Sequence, residues 1–138
     1  MKQTIILPND VAAVPRLAEF IDQVCEIAGM DMGTTMQLNL AAEEAVVNVM
    51  NYAYPSGTEG TVEISAQTVD GEIALTILDS GKPFDPTAKE DADTSLTAEE
   101  RPIGGLGIHL VRQIMDKVAY QRTADGHNVL RMSKKIDG

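Results

Sequence analysis

The sequence contains no tryptophan, two phenylalanines and three tyrosines, so any core it builds must be aliphatic. It has one cysteine, Cys25, which cannot close an internal disulfide and suits a reducing compartment. Basic residues are scarce. Eleven Lys and Arg stand against 21 Asp and Glu, a formal net charge of −10, and that balance repels a nucleic-acid backbone instead of collecting it. No apolar run approaches the ~20 residues that span a bilayer, and the opening run Ile5-Ile6-Leu7 is too short for a signal peptide before Pro8 breaks it. The expectation is a soluble, cytoplasmic protein that binds neither nucleic acid nor membrane. Also missing is any glycine-rich loop ending in Gly-Lys-Ser or Gly-Lys-Thr, which excludes a phosphate-loop nucleotidase.

What is present is ordinary globular composition, with 43% hydrophobic and 23% charged residues in 138 positions. That length predicts one domain, residues 1–138. Lys2 to Leu7 reads as a strand stopped by Pro8, after which Asn9 or Asp10 can cap a helix. Leu17, Phe20, Ile21, Val24, Cys25 and Ala28 recur at helical spacing until Gly29, which makes Cys25 a core residue before it is a reactive thiol. A second helix is expected from about Thr35 to Tyr54, ended by Pro55-Ser56-Gly57. Thr61 to Val69 and Glu72 to Asp79 read as a hairpin about Asp70-Gly71, the pairing that favours a type I′ turn. Periodicity then vanishes from Gly81 to Arg101, and a polar segment of this length suits a lid, placed at about residues 82–104. Ile108, Val111, Ile114, Met115 and Val118 mark a third helix beginning near Gly107. Two strands follow, about Val118 to Thr123 and Asn128 to Lys135. The order predicts an α+β fold, a two-layer sandwich in which a mixed, mostly antiparallel sheet carries helices on one face.

Three signals are chemical. Glu44, Asn48 and Asn51 are spaced by four and then three residues and form a polar stripe on the second helix. A solvated surface stripe explains them. So does a hard-cation site with oxygen ligands and a nearby base, and Asn is a mediocre choice for a merely solvated face. Asp79 continues the inward row Ile73, Leu75, Ile77, and an inward carboxylate needs a donor. Gly81, two residues on, leaves backbone bare for a flat ligand, although Asp-x-Gly is also a common turn. Gly104-Gly105-Leu106-Gly107 leads into a helix and reads either as a hinge or as an anion cradle of unpaired amides. His109 reads as a helix-surface residue, and His127 as a turn residue with no evident partner.

Taken in order, Glu-x-x-x-Asn on a helix, Asp-x-Gly after a hairpin, then a lid and Gly-Gly-x-Gly opening a helix, this constellation resembles the GHKL superfamily of histidine-kinase-like ATPases. The likeness covers about Leu17 to Lys135. Within the superfamily, Glu44-Ala45-Val46-Val47-Asn48 and Arg101-Pro102-Ile103-Gly104-Gly105-Leu106-Gly107-Ile108 look most like the anti-sigma-factor serine/threonine-protein kinases of bacterial partner-switching systems. The resemblance implies ATP and Mg²⁺ as cofactors, with Asn48 binding the magnesium ion. It makes Glu44 the catalytic base, Asp79 the acceptor for the adenine amino group and Gly81 the residue beside the ring, and it puts Gly104, Gly105 and Gly107 at the phosphates. One position departs from the family pattern, because Pro83 stands where a glycine is frequent. The implied function is an ATP-dependent protein-serine kinase and anti-sigma factor, acting on a serine of a small anti-sigma-antagonist partner, holding a sigma factor in alternation, and dimeric. A non-catalytic, ATP-gated binding module would keep Asn48, Asp79 and the glycines and use no base. A sensor histidine kinase is disfavoured, since no acceptor-histidine helix pair precedes the domain.

Overall fold

The computed structural model describes residues 2–54, 60–85 and 107–136. Strand β1, Lys2–Pro8, is followed by a 3-10 turn, Val11–Ala13, and by helix α1, Val14–Ala28. Of the two residues expected to cap, it is Asp10 whose carboxylate accepts from the Ala12 amide at 2.9 Å. At the far end Gly29 takes φ 72°, its amide bonds the Glu26 carbonyl and the Met30 amide reaches back to Cys25 at 3.0 Å. This is the Schellman arrangement, in which a left-handed residue lets the last carbonyls find donors. Cys25 is buried as expected, and burial pushes its thiol pKa up.

Helix α2, Met32–Tyr52, begins three residues earlier than the sequence suggested. Asp31 caps it, accepting from the Thr34 amide at 2.7 Å, while the Thr35 hydroxyl donates to the Asp31 carbonyl. The Pro55-Ser56-Gly57 stop lies outside the described residues. Strands β2, Thr61–Val69, and β3, Glu72–Asp79, have the expected bounds, and Asp70 and Gly71 both take positive φ, 53° and 77°, as a type I′ turn requires. Of the expected lid, residues 82–85 are described and the rest falls outside the described residues.

Helix α3, Gly107–Ile114, is shorter than the run of apolar residues implied. Its last helical bond is Met115 N–H to Val111, after which the Asp116 amide donates to Ser133 and commits the chain to the sheet. Val118 therefore belongs to strand β4, Lys117–Arg122, where it faces Met132 of strand β5, Asn128–Lys135. Helical and strand phases coincide over these few residues, so spacing alone could not separate them.

The sheet runs β1-β2-β3-β5-β4. All four pairings among the described residues are antiparallel, so the sheet is not mixed. The connections explain two of the pairings, since β2 turns directly into β3 and β4 directly into β5, and a tight turn can only reverse direction. Leu7, Val62, Ile64, Ala66, Ile73, Leu75, Ile77, Leu130 and Met132 form one inner face, and α1 and α2 cover it with Leu17, Ile21, Val24, Leu38, Ala42 and Val46. Helix α3 packs on α2. The opposite face carries Thr4, Ser65, Thr76 and Arg131 in one register row.

Leu75 sits between Ala66 and Met132 on the inner face and is 1% exposed. Leu75→Ala is expected to cost about 2–5 kcal/mol of unfolding free energy, read as a lower urea midpoint at an unchanged slope.

Candidate active site

One register row crosses the sheet at its end: Leu7, Val62, Asp79, Asn128 and Arg122 lie side by side on the inner face. The row starts apolar and turns polar at β3. Asp79 is 1% exposed and Asn128 3%, and a carboxylate held so far from water needs strong donors. It has two. The Gly81 amide donates to Asp79 Oδ1 at 2.8 Å and Asn128 Nδ2 donates to the same oxygen at 2.9 Å. No hydrogen bond among the described residues reaches Oδ2. Burial raises the Asp79 pKa above its ordinary value, and the Asn128 and Gly81 bonds, followed by the positive charge of Arg122, oppose that rise.

Asn128 is saturated. Its Nδ2 also donates to the Lys82 carbonyl at 2.8 Å, and its Oδ1 accepts from the Phe84 amide at 3.2 Å and from the Tyr120 hydroxyl at 2.5 Å. Arg122 donates to the Gly81 carbonyl at 2.9 Å and makes no ion pair with Asp79. The strand end and residues 81–84 are thus tied to β4 and β5 by side chains.

The same loop is pressed against the end of α2. The Lys82 amide donates to the Ala53 carbonyl at 2.8 Å, and a Cβ on Gly81 would lie 2.4 Å from that carbonyl oxygen. A glycine is required there for backbone to meet backbone. Tyr54 completes the junction, accepting from the Ser80 amide at 3.0 Å and donating to the Thr61 carbonyl at 2.8 Å.

On α2 the polar stripe splits. Asn48 is buried, 4% exposed, and its Oδ1 has no partner among the described residues. Glu44, one turn earlier, is half-buried, and Asn51 is exposed. Spacings of four and three residues share a face only loosely, since each step misses a full turn by tens of degrees. Asn48 falls toward the core and Asn51 toward solvent. Among the described residues no cluster of three or more His, Cys, Asp or Glu offers itself to a metal. The orphaned amide oxygen of Asn48 is the donor type that a hard cation takes, so the residues fit magnesium held by one protein oxygen together with a phosphorylated ligand.

Gly107 opens α3, which packs on α2, while Gly104 and Gly105 lie outside the described residues. His109 is exposed and its Nε2 lies 3.3 Å from Gln113 Nε2, as a helix-surface residue would. His127 does have a partner, contrary to expectation. Its Nδ1 is 3.1 Å from Asp125, whose pKa is held down first by the Thr123 hydroxyl and then by His127.

Asn128, Tyr120, Arg122 and Tyr54 are the residues that sequence reasoning passed over. A signal existed for the first: Asn128, Leu130 and Met132 alternate as Ile73, Leu75, Ile77 and Asp79 do, so Asn128 is the second polar residue in an inward row.

The model of the histidine kinase-like ATPase domain matches residues 7–134. Among curated relatives, the serine/threonine-protein kinase BtrW of Bordetella bronchiseptica is 30% identical over 96 residues, covering 70% of this chain and 67% of that protein. The serine-protein kinase RsbW of Halalkalibacterium halodurans is 27% identical, with coverage of 97% and 82%. An anti-sigma F factor of Clostridium botulinum is 29% identical, with coverage of 94% and 87%. The fold recurs in a Mycobacterium tuberculosis structure of RsbU and RsbW domains, at TM-score 0.71 and 14% identity. There the match takes in 99% of this chain and 32% of that one. It recurs more distantly in the Acinetobacter baumannii histidine kinase AdeS, at TM-score 0.54 and 11% identity, with coverage of 99% and 70%. With the family model spanning nearly its whole length and relatives of this kind aligned along it, the chain belongs to the histidine kinase-like ATPase domain family.

Proposed function

We propose that this protein is a cytoplasmic, Mg-ATP-dependent protein-serine kinase that doubles as an anti-sigma factor. Its substrate is a serine on a small anti-sigma-antagonist protein, its alternative partner is a sigma factor, and it works as a homodimer. The observation that carries this reading is the buried Asn48 Oδ1, which has no partner among the described residues, together with the Asp79 carboxylate, whose two donors among those residues both meet Oδ1. A folded protein does not leave such groups idle without a reason, and a ligand that brings both an amino donor and a cation supplies one. The names of the relatives, serine-protein kinase and anti-sigma F factor, agree with it.

On this reading Asp79 accepts from the exocyclic amino group of adenine and Gly81 lets the ring lie against bare backbone. Amides at Gly104, Gly105 and Gly107 meet the phosphates. Asn48 holds the magnesium ion, which when bound neutralises charge on the β- and γ-phosphates. Glu44, a turn before Asn48, receives the proton of the acceptor serine as its Oγ bonds to the γ-phosphorus and the bond to the bridging oxygen breaks, releasing ADP. Positioning and charge neutralisation supply most of such a rate, with the base adding its share.

Asp79→Asn separates binding from folding. Because burial raises the Asp79 pKa, the folded state takes up its proton more readily than the unfolded chain does. That stabilising contribution is full below the ordinary value of 3.8 and is lost as pH rises through the raised one. Near neutral pH the carboxylate therefore weighs against folding. Asp79→Asn should melt no lower than the parent at pH 7, while calorimetry should show ATP binding weakened by roughly ten- to a hundredfold, the worth of a hydrogen bond to a charged group. The parent should bind GTP poorly, since guanine offers a carbonyl where adenine offers an amino group.

Asn48→Ala should remove the gain in nucleotide affinity that magnesium brings and leave metal-free binding nearly unchanged. An affinity ratio with and without magnesium equal to the parent's would exclude Asn48 as the metal ligand.

Glu44→Gln keeps the shape of the side chain and removes its basicity. ATP affinity should stay within about threefold, below ~1 kcal/mol, whereas phosphorylation of the partner serine should fall by at least roughly a hundredfold. An undiminished rate in this variant would exclude the base. A parent protein that binds ATP and partner yet transfers no phosphate would instead be an ATP-gated binding module.

A further inference from the structure

Asn128 is the group through which β5 acts on β3, and its hydrogen bonds fix which way it faces. The Phe84 amide can only donate, and the Lys82 carbonyl and the ionised Asp79 carboxylate can only accept. A flipped amide would set oxygen against two acceptors and nitrogen against a donor. One orientation therefore satisfies all four positions of the side chain, with Nδ2 toward Asp79 and Lys82 and Oδ1 toward Phe84 and Tyr120. Asn128 is 3% exposed and starts its strand, paired with Asp79 on one side and Arg122 on the other.

The choice of partner matters as much as the geometry. A cation 4 Å or less from Asp79 would neutralise it and compete with any donor that a ligand brings. Arg122 stands in the same register row, yet its guanidinium bonds the Gly81 carbonyl instead. The group on the carboxylate is a neutral amide. It occupies Oδ1 beside the Gly81 amide, leaves the negative charge in place, and fixes the plane of the carboxylate so that Oδ2 has one direction.

We propose that Asn128 is a positioning residue for nucleobase selection: it orients the Asp79 carboxylate, and with it residues 82–84, so that Oδ2 meets the amino group of a 6-aminopurine. The inference rests on the reading of Asp79 as the adenine acceptor. It adds a residue on a different strand, which touches the carboxylate and not the base, as the source of that acceptor's aim.

A residue that merely stabilises the fold would change affinity for every purine nucleotide alike. A positioning residue would change only the part of the affinity that depends on the amino group. The test measures, by calorimetry, binding of ATP and of purine riboside triphosphate, which has the same base without the amino group, to the full chain. Asn128→Leu is the sharper variant, because it nearly keeps the shape of the side chain and removes the donor to Asp79 without setting a second carboxylate beside it. Asn128→Ala removes the side chain beyond Cβ.

In the parent, ATP should bind roughly tenfold or more tightly than purine riboside triphosphate, as expected of a hydrogen bond to a charged group. In Asn128→Leu that ratio should fall to within about twofold, with the affinity for purine riboside triphosphate changed less than about threefold. Equal weakening of both ligands, or a preserved ratio in a folded variant, overturns the inference. Asp79→Asn distinguishes the two levels. If it leaves the ratio unchanged, the reading of Asp79 itself fails. If it collapses the ratio while both Asn128 variants preserve it, only the inference about Asn128 fails. Should neither Asn128 variant fold, the parent decides. The side-chain amide resonances of Asn128 should shift when ATP is added and hold still with purine riboside triphosphate, and resonances indifferent to ATP overturn the proposal.

Discussion

The buried carboxylate of Asp79 is the constraint around which this end of the molecule is arranged. A charge 1% exposed at the end of an aliphatic row is costly unless donors converge on it, and each donor here belongs to a different piece of backbone. Gly81 comes from the loop after β3, and Asn128 from the start of β5. Through Asn128 the demand extends to Lys82, Phe84 and Tyr120, and through Gly81 to Arg122. The loop cannot shift without uncovering the carboxylate. The burial that raises the Asp79 pKa and the bonds that oppose the rise are two sides of one arrangement.

Helix α2 enters the same arrangement from the other side. Its last turn delivers the Ala53 carbonyl to the Lys82 amide, at a distance that only a glycine at position 81 permits. The helix that presents Glu44 and Asn48 is thereby locked to the loop that follows Asp79. On the proposed function, the ends of a nucleotide are read by two elements whose relative position is set by backbone contact and not by long side chains. That suits a ligand whose base and phosphates must be placed together before transfer can occur.

The donors bonded to the Asp79 carboxylate are neutral amides, and Arg122 acts on it through its charge without bonding to it. With a formal charge of −10, a triphosphate is not drawn in by long-range attraction. On the proposed function, an amide oxygen for a cation, amide hydrogens for phosphate and a carboxylate whose bonded donors are neutral for an amino group are short-range, directional contacts that select a ligand by geometry, and a cation carried by the ligand supplies charge.

Much of this was legible in the sequence because it is local. The hairpin follows from Asp70-Gly71, the stop of α1 from Gly29, and the inward position of Asp79 from strict alternation with Ile73, Leu75 and Ile77. Each depends on residues a few positions apart, where backbone sterics and periodicity decide. The sequence pattern places the start of α2 at Thr35 and not Met32 because the Asp31 cap, four residues before Thr35, outweighs the apolar pattern. The end of α3 was missed because Val118 fits a helix and a strand alike until the bond from Asp116 to Ser133 chooses. Residue identity alone marked Asp79 and Gly81 as belonging together and set Glu44 and Asn48 on one helix. Only the tertiary structure could bring Asn128 to Asp79 across 49 positions, or bury Asn48 while exposing Asn51. Pairing between strands distant in the chain, and the side of a helix that meets the core, are decided by packing of the whole, which no window of sequence contains.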